Sequence, residues 1–279
     1  MTTPHNPADA APRADACGAA PLLPEELSLS EIKELLDSEA RRINSPQFIG
    51  DDPVQFPRRF IAQSDIEIAA LLASTIAWGN RRMICRDADR MLALMENAPH
   101  RFVMERAFEE LPAGNIHRTF FTDDLRAYLR GLYLIYNEYP TLEQFARARG
   151  VHHAPAPAWA LAEAINERLA TANPDGTRLS RCLPQNLRTS ALKRLNMALR
   201  WLVRTDGIVD IGIWRLLTPD RLFIPLDVHV GNTSRQLGLL RRRTDDRRAV
   251  DELTAALRQF NPDDPTVYDF ALFGIGMKL

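Results

Sequence analysis

The stretch SDIEIAALLASTIAWGN (64–80) sets the tightest limit on what this chain can fold into. Apolar residues lie on nearly every side of the helix it would form, so no face is left for water. Such a helix is stable only when other helices enclose it, which makes it the centre of an assembly and not a surface element. Gly79 is read as its stop. With 46% of its 279 residues hydrophobic, the chain is long and apolar enough to supply that enclosure.

The surrounding sequence supplies amphipathic helices. Ser28 and Glu31 stand at a capping-box spacing ahead of IKELLDSEARRI, so order is expected to begin near Ser28. Residues 44–63, with Pro46, Pro53 and Pro57, read as irregular connection. Residues 81–98 and 122–139 are amphipathic, the latter through Leu125, Leu129, Leu132 and Tyr136. After a loop at 149–157, APAWALAEAINERLA reads as helix. Over 189–204, Leu192, Leu195, Leu199 and Leu202 share one face, and Lys193, Asn196, Arg200 and Arg204 form a positive stripe on another. Residues 245–260 turn Val250, Leu253, Leu257 and Phe260 inward, and Asp264 is expected to cap a final helix opened by Pro265. Period-2 strands with hairpin signals are absent. The expected fold is all-α, with roughly ten helices.

Charge and cysteine content bound the setting. A net charge of −1 neither requires nor excludes a nucleic-acid partner, because a local basic face is enough. Cys17, Cys85 and Cys182 are far apart, with no CxxC pair, and read as reduced thiols of a cytoplasmic protein. No apolar run approaches the ~20 residues of a membrane span. Residues 1–27 have no apolar signal core and read as a disordered tail. No metal site, cofactor or protein partner is inferred.

Two features rise above this background: Asp227 in IPLDVHVGNTSRQLG, at the head of a helix with His229 two residues on, and Lys193 upstream in the positive stripe. The segment IPLDVHVGNTSRQLGL resembles the one that follows the helix-hairpin-helix in DNA glycosylases of the helix-hairpin-helix Gly/Pro-Asp superfamily. The chain from about 50 onward also resembles a bacterial family without assigned function in that superfamily's neighbourhood, through KRLNMALRWLVR, GIW, IPLDVHV, LGLL and YDFALFGIG. The resemblance implies an enzyme that turns a damaged nucleotide out of duplex DNA and cuts its N-glycosidic bond. Asp227 matches the carboxylate that stabilises the oxocarbenium-like transition state. Lys193 is the candidate for the amine that attacks the sugar in bifunctional members and allows β-elimination. That attack needs a neutral amine, which burial or neighbouring cations such as Arg194 and Arg200 would favour. A water mechanism led by Asp227 stays open beside it.

The sequence departs from the superfamily at the hairpin. LPQNLRTSALK keeps Leu183 and Pro184 but lacks the glycines that let backbone amides approach a phosphate, so phosphate contact falls to Arg188, Thr189 and Ser190. Lys193 and Asp227 lie 34 positions apart, beyond the ~20 usual for the motif, although archaeal oxidised-guanine glycosylases show a similar stretch. No cysteine cluster matches an iron–sulfur loop, so none is expected.

Further residues are candidate DNA contacts: Trp78 for stacking, Asn80 and Arg81 as wedges in the vacated helix, His117 and Arg118 at phosphate, and His229 beside the aspartate. Each has a plainer alternative. Trp78 can be core, Arg81 and the loop at 117–118 solvated, His229 a packing residue, and Asp227 a helix cap only. RRRTDDRR (241–248) reads as a solvated turn.

The resulting expectation is a two-lobed helical glycosylase. One lobe spans about 65–180; the other joins 28–64 to 181–279. Asp227 and Lys193 meet at the cleft, and the partner is double-stranded DNA with a damaged base. The competing classes are a non-catalytic nucleic-acid-binding protein on the same scaffold, and a structural helical domain without DNA contact.

Overall fold

The capping box is formed. Ser28 Oγ accepts the Glu31 amide, and the Glu31 carboxylate accepts the Ser28 amide at 2.8 Å. The computed structural model describes residues 27–176 and 178–279, so the expected tail lies outside the described residues apart from Leu27, which packs against the core. The first helix, Leu29–Ile43, buries Ile32, Leu36, Ala40 and Ile43 against the last one, Tyr268–Met277. Gly274 permits the close approach, because a Cβ there would stand 2.8 Å from Ile43. The two ends of the described chain therefore share one packing unit.

The all-round apolar segment sits at the centre. Every residue from Ile66 to Thr75 is buried in the helix Gln63–Thr75. This helix is shorter than the 64–80 reading, because the chain leaves helical geometry at Ile76 and swings through Gly79 at φ +101°. Gly79 is thus a pivot beyond the helix. A Cβ there would also meet the Arg118 guanidinium at 2.6 Å. The central helix packs against Lys193–Val203, while Thr122–Glu138 pairs with Pro157–Ala172.

The chain is predominantly helical, with thirteen α-helices among the described residues where about ten were expected. The surplus comes from short pieces such as Pro46–Gly50 and Leu179–Cys182, too short to show a periodicity. Two short strands, Asn115–His117 and Phe120–Phe121, pair antiparallel across Arg118, and are likewise too short to alternate. The helix read over 189–204 starts only at Lys193, because Leu192 adopts φ 48° in the left-handed region. Asp264 does not cap. Its carboxylate takes the Arg204 guanidinium at 2.8 Å instead. No helix among the described residues is long and apolar enough to cross a membrane.

One polar group lies inside the central helix. The Glu67 carboxylate is fully buried and accepts the Leu142 amide and Trp214 Nε1, each at 2.7 Å, and the Glu143 amide, Gln63 side chain and Tyr136 hydroxyl, each at 3.1 Å. Burial raises its pKa, and the Leu142, Gln63, Trp214 and Glu143 donors act against that rise. Glu67 therefore ties three other segments, through Tyr136, Leu142–Glu143 and Trp214, to the centre of the fold. Glu67→Ala is expected to lower unfolding free energy by about 3 kcal/mol, since several buried donors lose their acceptor at once. Urea denaturation measures this, and a loss below about 1 kcal/mol contradicts the role given to Glu67.

Candidate active site

Asp227 follows the buried Ile224-Pro225-Leu226 and has extended backbone, φ −125°, so its side chain turns back over the helix Val228–Gln236. One oxygen, Oδ1, accepts the amides of His229 at 3.0 Å and Val230 at 3.1 Å. This is an N-cap. The other oxygen, Oδ2, stands 3.6 Å from Nζ of Lys193. Capping therefore uses half of the carboxylate and orients the other half toward the amine.

Lys193 is the first residue of its helix, held there by the left-handed Leu192, whose side chain is buried. The positive φ costs a non-glycine residue about 1 kcal/mol, and it redirects the chain so that Lys193 leaves the helix start toward Asp227. The side chains of Lys193 and Asp227 are 26% and 23% exposed, shielded from bulk water yet reachable from outside.

Both groups open into one cavity of about 620 Å³, within the range of small-molecule sites. Phe48, Trp78, Phe120, Phe270 and Phe273 contribute aromatic surface, and Arg81, Arg181, Arg194 and Arg200 contribute guanidinium groups. Arg81 pairs with Asp52 at 3.2 Å, and its Cζ lies 5.1 Å from the Phe48 ring centre and 5.5 Å from that of Phe273.

The positive stripe runs along Lys193–Val203 and ends at the C-cap Arg204. Asn196, Arg200 and Arg204 are buried. Arg200 holds Asp210 at 3.2 Å and also bonds Asp269, while Arg204 bonds Asp206, Asp210 and Asp264. Helical spacing revealed the arginines but not these acids, which arrive from distant loops and from the last helix. Asp269 is the functional candidate that periodicity missed. It lines the cavity, and burial, helped by neighbouring Asp227, pushes its pKa up to about 6 against the opposing charges of Arg200 and Lys193. The signal was an acid inside the apolar run YDFALFGIG, where a charge must be paired or functional.

The remaining candidates divide by location. Trp78, Arg81 and His229 line the cavity with Lys193 and Asp227. Asn80 is exposed and caps Arg81–Leu94 by accepting the Met83 amide, so its oxygen is committed to the helix. His117 is not a phosphate contact: it is fully buried, with Nδ1 2.8 Å from Asp87 and Nε2 2.9 Å from the Trp78 carbonyl. It is a prop under Trp78, against whose ring it also packs edge-on. Arg118 is exposed above Gly79. Arg188 and Thr189 sit on an exposed turn, while the Ser190 hydroxyl accepts the Leu192 amide and so helps set the start of the lysine helix. In RRRTDDRR, Arg242 pairs with Asp246, and Arg247 both stacks on Trp159 and bonds the carbonyls of Thr189 and Leu187, so that segment buttresses the turn at 187–189.

Among the described residues no group of three or more His, Cys, Asp or Glu has the arrangement of a metal site; Cys85 and Cys182 are free thiols, and Cys17 lies outside those residues. A family model described as a protein of unknown function matches residues 52–278. No curated protein and no solved structure matches the chain.

The raised pKa of Asp269 fixes a sign. Its protonated form is favoured in the folded protein, so its contribution to stability is complete below the ordinary value of 3.8 and is lost as pH rises through about 6. Carbon-13 NMR of the Asp269 carboxyl is expected to show a midpoint near 6. A midpoint in the ordinary aspartate range contradicts the environment described.

Proposed function

The chain belongs to that family, DUF2400, and from its cavity we propose a DNA base-excision glycosylase in which Lys193 and Asp227 act on a nucleotide turned out of the duplex. One observation carries the reading: an amine and a carboxylate 3.6 Å apart in a single open cavity of about 620 Å³ with aromatic walls. The substrate in this reading is double-stranded DNA with a damaged base, handled by a cytoplasmic protein. The helical fold is then the two-lobed glycosylase fold, with 65–180 on one side of the cleft and 28–64 with 181–279 on the other.

The chemistry follows from the pair. The extruded base enters between the aromatic side chains, and its sugar C1′ comes to the amine and carboxylate. As the glycosidic bond breaks, its electron pair leaves with the base, which takes up a proton, and positive charge grows on the sugar. Asp227 Oδ2 stabilises that charge, while Oδ1 stays fixed by two backbone amides and needs no reorganisation. Lys193, once its proton has passed to Asp227 or water, forms the C1′–N bond. Opening of the sugar ring gives a Schiff base; loss of a C2′ proton then expels the 3′ phosphate and cuts the strand. With the amine as a spectator, the same carboxylate directs water to C1′ and the strand stays intact.

Lysine usage supports the lyase branch. The chain has three lysines, Lys33, Lys193 and Lys278, among 35 basic residues. The one facing the cavity is a side chain able to become a neutral nucleophile, which arginine cannot. The glycine-free hairpin favours a second reading, a nucleic-acid-binding protein without catalysis, but that reading leaves the Lys193–Asp227 pair without a purpose.

Borohydride trapping on duplexes carrying oxidised, deaminated or alkylated bases tests the proposal. A covalent adduct is expected with the native chain and is expected to vanish in Lys193→Ala. Asp227→Asn keeps a good helix cap and removes the charge, so base release should fall by about a hundredfold or more without a matching loss of stability. Absence of binding to any of these duplexes at low salt overturns the proposal.

A further inference from the structure

The cations of the cavity wall are not equally compensated. Lys193 faces Asp227, Arg81 faces Asp52, and Arg200 faces Asp210 and Asp269. Among the described residues Arg194 has no carboxylate within ion-pair distance. Arg181 has none either, but it is exposed at the rim and bonds Thr119. Arg194 is partly buried, and Nη1 donates to the Thr75 carbonyl at 2.6 Å. Its Cζ lies 5.3 Å from the centre of the Trp78 ring. Burial lowers its pKa from the ordinary arginine value, and the groups that oppose this are Tyr128 and Cys182, not an acid.

A guanidinium carries five N–H donors in a rigid plane. One is used by Thr75, and the Trp78 face attracts the charge without accepting a hydrogen bond. Arg194 lines the main cavity, whose acids are already committed to Lys193, Arg81 and Arg200, and also borders a second cavity of about 280 Å³ beside Thr75, Tyr128 and Cys182. Water can satisfy such donors in a free protein. A ligand that displaces the water has to bring acceptors of its own, because an unpaired donor in a dry site is costly.

Resting on the glycosylase reading, we infer that Arg194 reads the extruded base. Its free N–H groups meet an acceptor edge of the heterocycle, a ring carbonyl oxygen alone or with a neighbouring ring nitrogen, while Trp78 and Thr75 fix the plane of the guanidinium. Arginine reads the carbonyl and ring nitrogen of guanine in the same fashion. The substrate class is therefore a base that presents a carbonyl at this position. A base that presents an amino group there is rejected, because donor would face donor.

The test compares base excision with binding to a duplex that has no base to read. Probes are duplexes identical except for hypoxanthine, uracil, 8-oxoguanine, 3-methyladenine or a tetrahydrofuran abasic analogue at one position. The native chain is expected to release at least one of the three carbonyl-bearing bases. On that base, Arg194→Gln is expected to lower single-turnover release at least tenfold while binding the abasic duplex within twofold of the native chain. Arg194→Lys, which keeps the charge and loses the planar fork, guards against misfolding of the first variant and should show the same split, as should melting temperatures close to native. Equal loss on the base-bearing and abasic duplexes means a backbone or structural role and overturns the inference, as does unchanged release in both variants or release of 3-methyladenine alone. A native chain that binds none of the duplexes, or releases no base, overturns the glycosylase reading itself.

Discussion

A helix that is apolar on all sides has to be enclosed, and the enclosure of Gln63–Thr75 organises the rest of this protein. The helix Lys193–Val203 is one of its walls, so the position of Lys193 is set by the packing of Leu195, Leu199 and Leu202. Glu67 binds the other walls to the same axis through four donors. The chain leaves the central helix at Ile76, presents Trp78 to the cavity and then turns at Gly79 to deliver Arg81. Core and site are thus consecutive stretches of one chain path.

Around the cavity, charge is arranged in two tiers. Arg200, Arg204, Asp210, Asp264 and Asp269 form a largely buried network that reaches the cavity at Arg200 and Asp269, and each arginine meets more than one carboxylate. Such networks hold geometry, since breaking one partner leaves another charge stranded. Above it, Asp227 divides its carboxylate between a helix start and an amine. Preorganisation of this kind keeps a carboxylate in place while charge develops beside it, which is how electrostatic stabilisation of a cationic transition state gains its effect.

Much of the architecture was legible in the sequence. The Ser28 capping box, the central apolar helix and the cap at Asp227 all depend on local rules, and local rules are what a sequence displays. The Lys193–Asp227 meeting was suggested only by the resemblance of IPLDVHVGNTSRQLGL, with LPQNLRTSALK as the comparable hairpin stretch, to the glycosylase arrangement. What stayed hidden was non-local. Arg200 and Arg204 read only as members of a positive stripe, because their acids are supplied by residues 206–210, 264 and 269. His117 looked like a loop residue because its partners, Asp87 and the Trp78 carbonyl, lie some 30 to 40 positions upstream. Leu192 gave no sign of its left-handed backbone, since leucine has no preference for it.

The central claim is that Lys193 and Asp227 form a working pair on the sugar of an extruded nucleotide. Mass-spectrometric mapping of the borohydride-reduced protein–DNA complex tests it most directly, because only three lysines compete for the mark. The account predicts the sugar remnant on the peptide that contains Lys193. A remnant on Lys33 or Lys278, or a cleaved glycosidic bond with no modified lysine at all, would contradict the pair as drawn.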